Sequence, residues 1–221
     1  MTAQPLESTT AHTVAMLRER MRRLGEPTAR RELATHPALA DVVRLRAGGT
    51  YRVDTASLAF LLMAGPSREG AWTALVNTRD TGLEAAAGLG LDLDRTLVVP
   101  DAAEHWVEVT AALVEVAALV VLRPPPRVSA HAVSRLAARL RTREAALVVW
   151  GEWPRCDAEL RLAGSQWLGA GHGEGRLRSR RTQVLVRRGA GPERRRALWL
   201  PGDDGEVRPE HEHEPRILTA S

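Results

Sequence analysis

From residue 39 onward, short apolar segments alternate with amphipathic segments, and this alternation constrains the fold more than any other feature. Segments of strand length occur at Val42–Leu45, Thr50–Val53, Trp72–Val76, Thr96–Val99, Leu119–Leu122 and Ala146–Trp150. Helical patterns separate them at Ser57–Ala64, Leu83–Leu89, Trp106–Val116 and Ala130–Arg143. Apolar strands separated by helices predict an α/β fold with a mostly parallel sheet covered on both faces.

The last third of the chain has a different pattern. Three strand-like segments follow one another without a helix, at Gln166–Leu168, Thr182–Val186 and Ala197–Leu200. They predict an antiparallel C-terminal extension of the sheet. Residues 202–221 are rich in Gly, Pro and acidic side chains, which predicts a disordered tail. We therefore divide the chain into an N-terminal helical extension (1–38), a core (39–201) and a tail (202–221).

Residues 11–24 predict an amphipathic, basic N-terminal helix. Its apolar side chains recur at helical spacing, at Val14, Leu17, Met21 and Leu24. Arginines occupy the other faces, and Gly25-Glu26-Pro27 follows like a linker. The apolar stripe can dock on the core domain, or the helix can bind a partner through Leu17, Arg18, Met21 and Arg22.

The cysteine content and the apolar segments of the chain predict its cellular compartment. Cys156 is the only cysteine among 221 residues, so no intramolecular disulfide can form and a reducing compartment is expected. The N-terminus has no basic and apolar pattern of a secretory signal, and the longest apolar run, Ala117 to Leu122, has the length of a strand. We expect a cytoplasmic protein that does not enter a membrane.

The chain contains no lysine, because all 31 basic residues are arginine. This excludes an ordinary P-loop, whose lysine ammonium reaches the β- and γ-phosphates. The segment where such a loop would lie, Gly48 to Leu58, has no G-x-x-x-x-G-K-[ST] pattern. Asp54 and Thr55 predict a helix N-cap there. The expected structure is a strand, a turn and a helix without a nucleotide.

The order of these segments resembles the RecA family over about residues 39 to 201. The segment 72–99 is similar to a RecA strand, the helix after it and the next strand, and the segment 106–122 resembles the following helix and strand. Residues 162–201 resemble the end of the RecA core. The resemblance implies a RecA-like three-layer fold.

The resemblance also implies where nucleotide-binding residues should stand, and none is present. The acidic residue that polarises the attacking water would fall near Arg79, and an arginine cannot act as that base. The Walker B aspartate would fall at Arg123, whose positive charge would repel Mg²⁺. The glutamine that senses the γ-phosphate would fall near Gly151. The expected result is a degenerate nucleotide site with no catalytic residue, metal or cofactor, at Asp54, Thr55, Ser57, Arg79, Arg123 and Gly151.

The chain is rich in arginine and alanine and lacks the nucleotide motifs, and it contains the segments Ala64-Gly65-Pro66-Ser67 and Trp72–Val99. In these features it is similar, among RecA relatives, to the actinobacterial ImuA-prime type of SOS mutagenesis accessory protein. This resemblance implies a non-catalytic adaptor in DNA-damage-induced translesion synthesis, with an ImuB-like Y-family polymerase homologue and an error-prone C-family DNA polymerase as partners. Two alternatives stay open: a RecA-type DNA-dependent ATPase with an atypical site, and an SOS-linked cell-division inhibitor. The sequence leaves the oligomeric state open.

Two further groups of residues are candidates for partner or DNA contact. A dense set of arginines lies near the C-terminus, at Arg178, Arg180, Arg181, Arg187, Arg188, Arg194, Arg195 and Arg196. It can be a solvated face, a surface for DNA phosphates or a surface for an acidic protein. Trp153 follows the strand at Ala146–Trp150 and can anchor a partner, stack on a base or be buried.

Overall fold

A nine-stranded sheet organises the part of the chain that the computed structural model describes, residues 30–171 and 174–210. The strands are β1 (Glu32–Leu33), β2 (Leu45–Arg46), β3 (Thr50–Val53), β4 (Thr73–Val76), β5 (Thr96–Val99), β6 (Leu119–Leu122), β7 (Ala146–Trp150), β8 (Ala158–Gly171), β9 (Glu174–Arg187), β10 (Arg194–Trp199) and β11 (Arg208–Pro209). The α-helices are α1 (Ala56–Arg68), α2 (Leu83–Gly88), α3 (Trp106–Leu113) and α4 (Ala130–Arg143).

The strand order in the large sheet is β11-β10-β9-β8-β3-β7-β6-β4-β5. Neighbouring strands from β8 to β5 run parallel, and those from β8 to β11 run antiparallel. Strands β1 and β2 form a separate antiparallel pair. The mostly parallel α/β sheet predicted from the sequence is confirmed, and the strands that follow β8 are added in antiparallel fashion.

Helices cover both faces of the parallel strands. Because successive side chains of a strand point to opposite faces, β4 directs Leu75 into one hydrophobic cluster and Ala74 and Val76 into another. Helices α1 and α2 contribute to the first cluster, and α3 and α4 contribute to the second. This two-sided burial explains why the parallel strands are apolar at almost every position.

Helix α1 is buried along most of its length, with every residue from Leu58 to Ser67 inside the protein. One reason is the close approach of the segment at Ala34 and Thr35. A Cβ atom on Gly65 would lie 2.4 Å from the carbonyl oxygen of Ala34, so only glycine allows this contact. The helix is therefore packed between the sheet and the chain that precedes β2.

Helix α4 is amphipathic and shows how local sequence sets its ends. Ser129 caps its N-terminus by accepting a hydrogen bond from the amide of Ala132, at 3.1 Å. Leu136 and Leu140 lie one turn apart on the buried face. The helix ends at Glu144, which has a left-handed backbone conformation with φ of 53°.

Two sequence predictions need correction. The segment Val42–Leu45 was expected to be a strand of the main sheet, but only Leu45–Arg46 is extended, and it pairs with β1. The amides of Val42 and Val43 instead donate to the carbonyl oxygen of Leu39, at 3.0 Å and 2.9 Å, so these residues form a turn rather than a strand. In addition, Arg208–Pro209 forms strand β11 inside the segment predicted as a disordered tail, and it pairs with β10 at the end of the sheet.

The predicted N-terminal helix, with Leu17, Arg18, Met21 and Arg22, lies outside the described residues, as does the tail from residue 211. Within residues 30–171 and 174–210, none of the helices has both the length and the hydropathy of a membrane span.

Candidate functional site

The connection between β3 and α1, where a phosphate loop would lie, consists only of Asp54 and Thr55. Thr55 caps α1, because its hydroxyl accepts a hydrogen bond from the amide of Leu58 at 3.4 Å. This confirms the N-cap predicted from the sequence. Both carboxylate oxygens of Asp54 accept the amide of Leu162 in β8, each at 3.2 Å. The side chains of Asp54 and Thr55 are therefore engaged within the protein.

Ser57, in the first turn of α1, is also engaged. Its hydroxyl accepts a hydrogen bond from the guanidinium of Arg180, at 3.3 Å. A phosphate-binding loop instead needs several free amides that converge on the ligand at a helix N-terminus. A two-residue connection closed by Asp54 and crossed by Arg180 offers no such arrangement.

Three other predicted positions, Arg79, Arg123 and Gly151, lie at the same edge of the sheet. They follow β4, β6 and β7, which are neighbours in the strand order and run parallel. The structure therefore brings together the positions that the RecA resemblance assigns to a nucleotide site. None carries a carboxylate or an amide side chain that could hold magnesium or orient water.

Arg79 and Arg123 interact with the protein itself. Arg79 forms an ion pair with Asp101, which follows β5. The guanidinium of Arg123 lies over the ring of Trp150, 4.8 Å from its centroid, which is cation–π geometry. Within the part of the chain that the structure describes, no group of three or more His, Cys, Asp or Glu side chains could hold a metal ion.

Gly151 has a positive φ of 140°, which turns the chain away after β7. Its carbonyl oxygen accepts a hydrogen bond from the side chain of Arg52 at 3.1 Å. Arg52 also pairs with Glu152 and, at 3.3 Å, with Glu159 of β8. No pattern in the sequence predicts this role of Arg52, because nothing in β3 indicates which strand lies beside it.

The arginine set near the C-terminus is divided between the two faces of the sheet. Residues directly opposite each other on neighbouring strands share a face. Arg194 lies opposite Val186 and Arg196 opposite Val184, so both are on the face that α1 covers. Arg195 lies opposite Leu185 and is on the other face. The hairpin of β9 and β10 thus brings these arginines close in the sheet, without forming one continuous basic surface.

Carboxylates neutralise much of this set. Arg181 pairs with Glu210 at 2.7 Å, Arg187 with Glu159 at 2.6 Å, Arg195 with Glu193 at 3.7 Å and Arg196 with Asp41 at 3.2 Å. The hydrogen bond from Arg187 lowers the pKa of Glu159, so that carboxylate stays ionised. Among the described residues, Arg178, Arg188 and Arg194 have no ion pair. These pairs reduce the attraction of the hairpin for phosphate.

The side chain of Arg180 is half-buried and contacts other groups of the protein. Its Nε donates to the carbonyl oxygen of Leu200 at 2.9 Å, and its guanidinium lies over the ring of Trp167 at 5.3 Å. Burial lowers the pKa of the Arg180 guanidinium from its ordinary value. Together with its bond to Ser57, these contacts join β9, the end of β10 and the start of α1.

Trp153 does not lie at the surface, which corrects its prediction as a contact residue. Its side chain is 7% exposed and packs in the second hydrophobic cluster. The rings of Trp106 and Trp153 meet edge to face, with centroids 6.4 Å apart. Burial was one of the readings that the sequence left open, and it is the one observed.

Comparison with known proteins identifies the family of this chain. Residues 38–155 match the family described as MT3502 N-terminal domain. The chain belongs to this family. The matched domain contains the parallel strands β3 to β7 and every position of the degenerate nucleotide site. The antiparallel strands β8 to β11, with the arginine hairpin, lie beyond its boundary.

A relative within the curated proteins is the uncharacterized protein Rv3395c of Mycobacterium tuberculosis. It is 37% identical over 109 residues, which are 47% of this chain and 52% of Rv3395c. The chain therefore spans about half the length of that relative. The solved structure of SulA from Pseudomonas aeruginosa is similar with a TM-score of 0.38 and 16% identity, over 45% of this chain and 93% of SulA. We draw no argument from a likeness that low.

Proposed function

We propose that this chain is a non-catalytic, RecA-like adaptor of DNA-damage-induced mutagenesis and translesion synthesis. Its partners would be an ImuB-like Y-family polymerase homologue and an error-prone C-family DNA polymerase. The observation that carries the non-catalytic part is the two-residue connection between β3 and α1, whose side chains are bound to the protein. The pathway and the partners rest on the sequence resemblance to the ImuA-prime type.

Charge supports the absence of triphosphate chemistry. The carboxylate of Asp54 stands where the phosphates would approach, and like charges at short range repel each other. At the magnesium position, Arg123 carries a positive charge held against Trp150. A polyphosphate with its metal would meet the wrong sign of charge at both places.

The architecture supports the RecA-like part of the proposal. A mostly parallel sheet with antiparallel strands after its last helix is what the resemblance implies, and this is the arrangement of β3 to β11. The positions equivalent to nucleotide-binding residues lie at one edge, after β4, β6 and β7. A sheet that has these positions but no nucleotide-binding side chains at them is consistent with a protein that acts through binding alone.

Affinity capture of the tagged full-length chain from DNA-damaged host cells tests this function. We expect polymerase components to be recovered. Recovery of a division protein without any polymerase component would instead favour a cell-division inhibitor, and recovery of neither would contradict the proposal. The captured proteins are identified by mass spectrometry.

A pair of variants tests the predicted contact of the N-terminal helix. Leu17→Glu with Met21→Glu places charges on its apolar stripe and should abolish capture of the polymerase components. Ser8→Glu with Thr9→Glu adds the same charges before the stripe and should leave capture intact. If both variants capture normally, the helix is not the partner contact.

A further inference from the structure

The edge of the sheet at which the parallel strands begin carries several exposed arginines. Strands β4, β6, β7 and β3 begin side by side there, and backbone hydrogen bonds join the segments that precede them. The amide of Gly48 donates to the carbonyl oxygen of Ala145 at 2.7 Å, and the amide of Ala118 donates to the backbone carbonyl oxygen of Trp72 at 2.9 Å. The antiparallel β9 ends at the same edge, because Arg187 lies opposite Glu159 near the start of β8.

Three exposed arginines lie along this edge without an ion pair among the described residues: Arg46, Arg141 and Arg188. Arg141 is next to the turn that follows β2, since a Cβ atom on Gly48 would lie 3.1 Å from its Cγ. The backbone amide of Arg46 donates to the hydroxyl of Tyr51 at 2.7 Å. Arg188 follows Arg187, which lies opposite Glu159 of β8, and Ala158 of β8 lies opposite Tyr51 of β3. Burial raises the pKa of Tyr51, and the charges of Arg188 and Arg46 oppose that rise.

The carboxylates near Arg46, Arg141 and Arg188 at this edge are already engaged, whereas Glu69 and Asp94, before β4 and β5, are exposed and have no ion pair among the described residues. Glu144 pairs with Arg31 at 3.3 Å and Glu32 with Arg44 at 3.6 Å. Glu115 forms ion pairs with both Arg139 and Arg143 at 2.5 Å, and Asp157 accepts a hydrogen bond from the amide of Thr50 at 2.8 Å. Arginines therefore outnumber carboxylates here, and the unpaired ones are available to an external anion. Arg141 also lies in the last turn of α4, where the helix dipole stabilises a positive charge. Arg46 and Arg188 do not lie at a helix C-terminus.

An exposed aromatic side chain completes the edge. Trp72 immediately precedes β4 and is 45% exposed. Strands are about 4.8 Å apart, so the distance from Arg188 across β8, β3, β7 and β6 to Trp72 is about 24 Å. Charges spread along a line, with an aromatic ring at its end, suit a linear polyanion whose repeating units can stack.

We propose that this edge binds single-stranded nucleic acid, with Arg46, Arg141 and Arg188 on phosphates and Trp72 stacked on a base. The length of the edge accommodates at least about four nucleotides, the lower limit of common single-strand sites. Contacts of this kind are independent of sequence and sensitive to salt. The surface is distinct from the ion-paired hairpin that the sequence indicated. It does not depend on the polymerase partners, because the isolated chain can be tested.

The experiment measures binding of a fluorescent single-stranded oligonucleotide to the full-length protein by anisotropy, at several salt concentrations. The parent protein should bind saturably and more weakly as salt rises. Arg46→Gln with Arg141→Gln and Arg188→Gln should reduce affinity at least about tenfold and lower the slope of log K against log salt by about 2, since each lost phosphate contact contributes roughly 0.7. Trp72→Ala should weaken binding about tenfold and leave the slope unchanged.

The matched control removes the same charge from the ion-paired surface, with Arg161→Gln, Arg187→Gln and Arg195→Gln. This variant should bind almost as the parent does. Arg46→Lys with Arg141→Lys and Arg188→Lys should retain most of the affinity. Circular dichroism confirms that each variant is folded.

Three results would overturn the proposal. The first is no saturable binding by the parent, and the second is an equal loss in both triple glutamine variants, which would mean that net charge alone decides. The third is equal competition by polyglutamate together with no effect of Trp72→Ala, which would assign the edge to an acidic protein.

Discussion

The carboxylate of Asp54 accepts the backbone amide of Leu162 through both of its oxygens, at 3.2 Å each, across 108 residues of sequence. This bond joins the end of β3 to β8 at the place where a phosphate loop would open. The acidic side chain at this position thus helps to attach the antiparallel extension to the parallel core.

Replacing Asp54 with alanine should lower the free energy of unfolding by about 1–2 kcal/mol, because the Leu162 amide loses a charged acceptor. Urea denaturation measures the change. Asp80→Ala is the control, since Asp80 is exposed after β4 and should change stability by less than about 0.5 kcal/mol. Equal effects of the two variants would show that the bond is not stabilising.

Replacing Arg180 with glutamine should lower the free energy of unfolding by about 2 kcal/mol, because its bonds to Leu200 and Ser57 are lost. The exposed Arg178→Gln removes the same charge from the same strand and should have almost no effect. Thermal unfolding of both variants provides the comparison. A stable Arg180→Gln protein would contradict a structural role.

Replacing Trp153 with alanine should cost about 3–5 kcal/mol of stability, because a buried ring is lost against Trp106. Trp167→Ala serves as the comparison, since Trp167 is 46% exposed and should cost less than about 1 kcal/mol. Denaturant titration followed by circular dichroism measures both. The reverse order would mean that Trp153 is available at the surface.

His36 should make stability depend on pH in the acidic range. Its side chain is 2% exposed, and burial with the nearby Arg68 charge lowers its pKa from 6.5 to about 4. Between these values the unfolded chain binds the proton and the folded protein does not. Stability should therefore be complete above pH 6.5 and fall as pH decreases toward 4, by about 2 kcal/mol after partial solvent screening.

His36→Asn tests the origin of this pH dependence. Asparagine can still accept the Ala38 amide that His36 Nδ1 accepts at 3.2 Å, but it does not titrate. The variant should show a flatter stability profile between pH 6.5 and 4 than the parent, as measured by urea titration at each pH. Parallel profiles would assign the pH dependence to other groups.

The parallel core could be predicted well from sequence because its signals are local. Thr50–Val53, Thr96–Val99 and Ala146–Trp150 have the predicted bounds, since each is an apolar run that ends at a change of pattern. Strand β8 was predicted only at Gln166–Leu168 although it begins at Ala158. Its first residues are half charged, and only their pairing with β3 makes them a strand.

The candidate sites were harder to predict because they depend on strand order. The sequence placed Asp54, Thr55 and Arg79 at a degenerate site, and their neighbours in the sheet agree with that grouping. It could not show that Arg187 faces Glu159, because partners on separate strands leave no local pattern. Nor could it place Arg46 and Arg188 at the same edge of the sheet, which requires knowing which strands begin there.

Isothermal titration of the full-length protein with Mg-ATP and with Mg-ADP tests the central claim most directly. The turn closed by Asp54 and Thr55 should give no saturable heat with either nucleotide. Saturable binding in the micromolar range, lost on addition of a chelator, would contradict an emptied phosphate site.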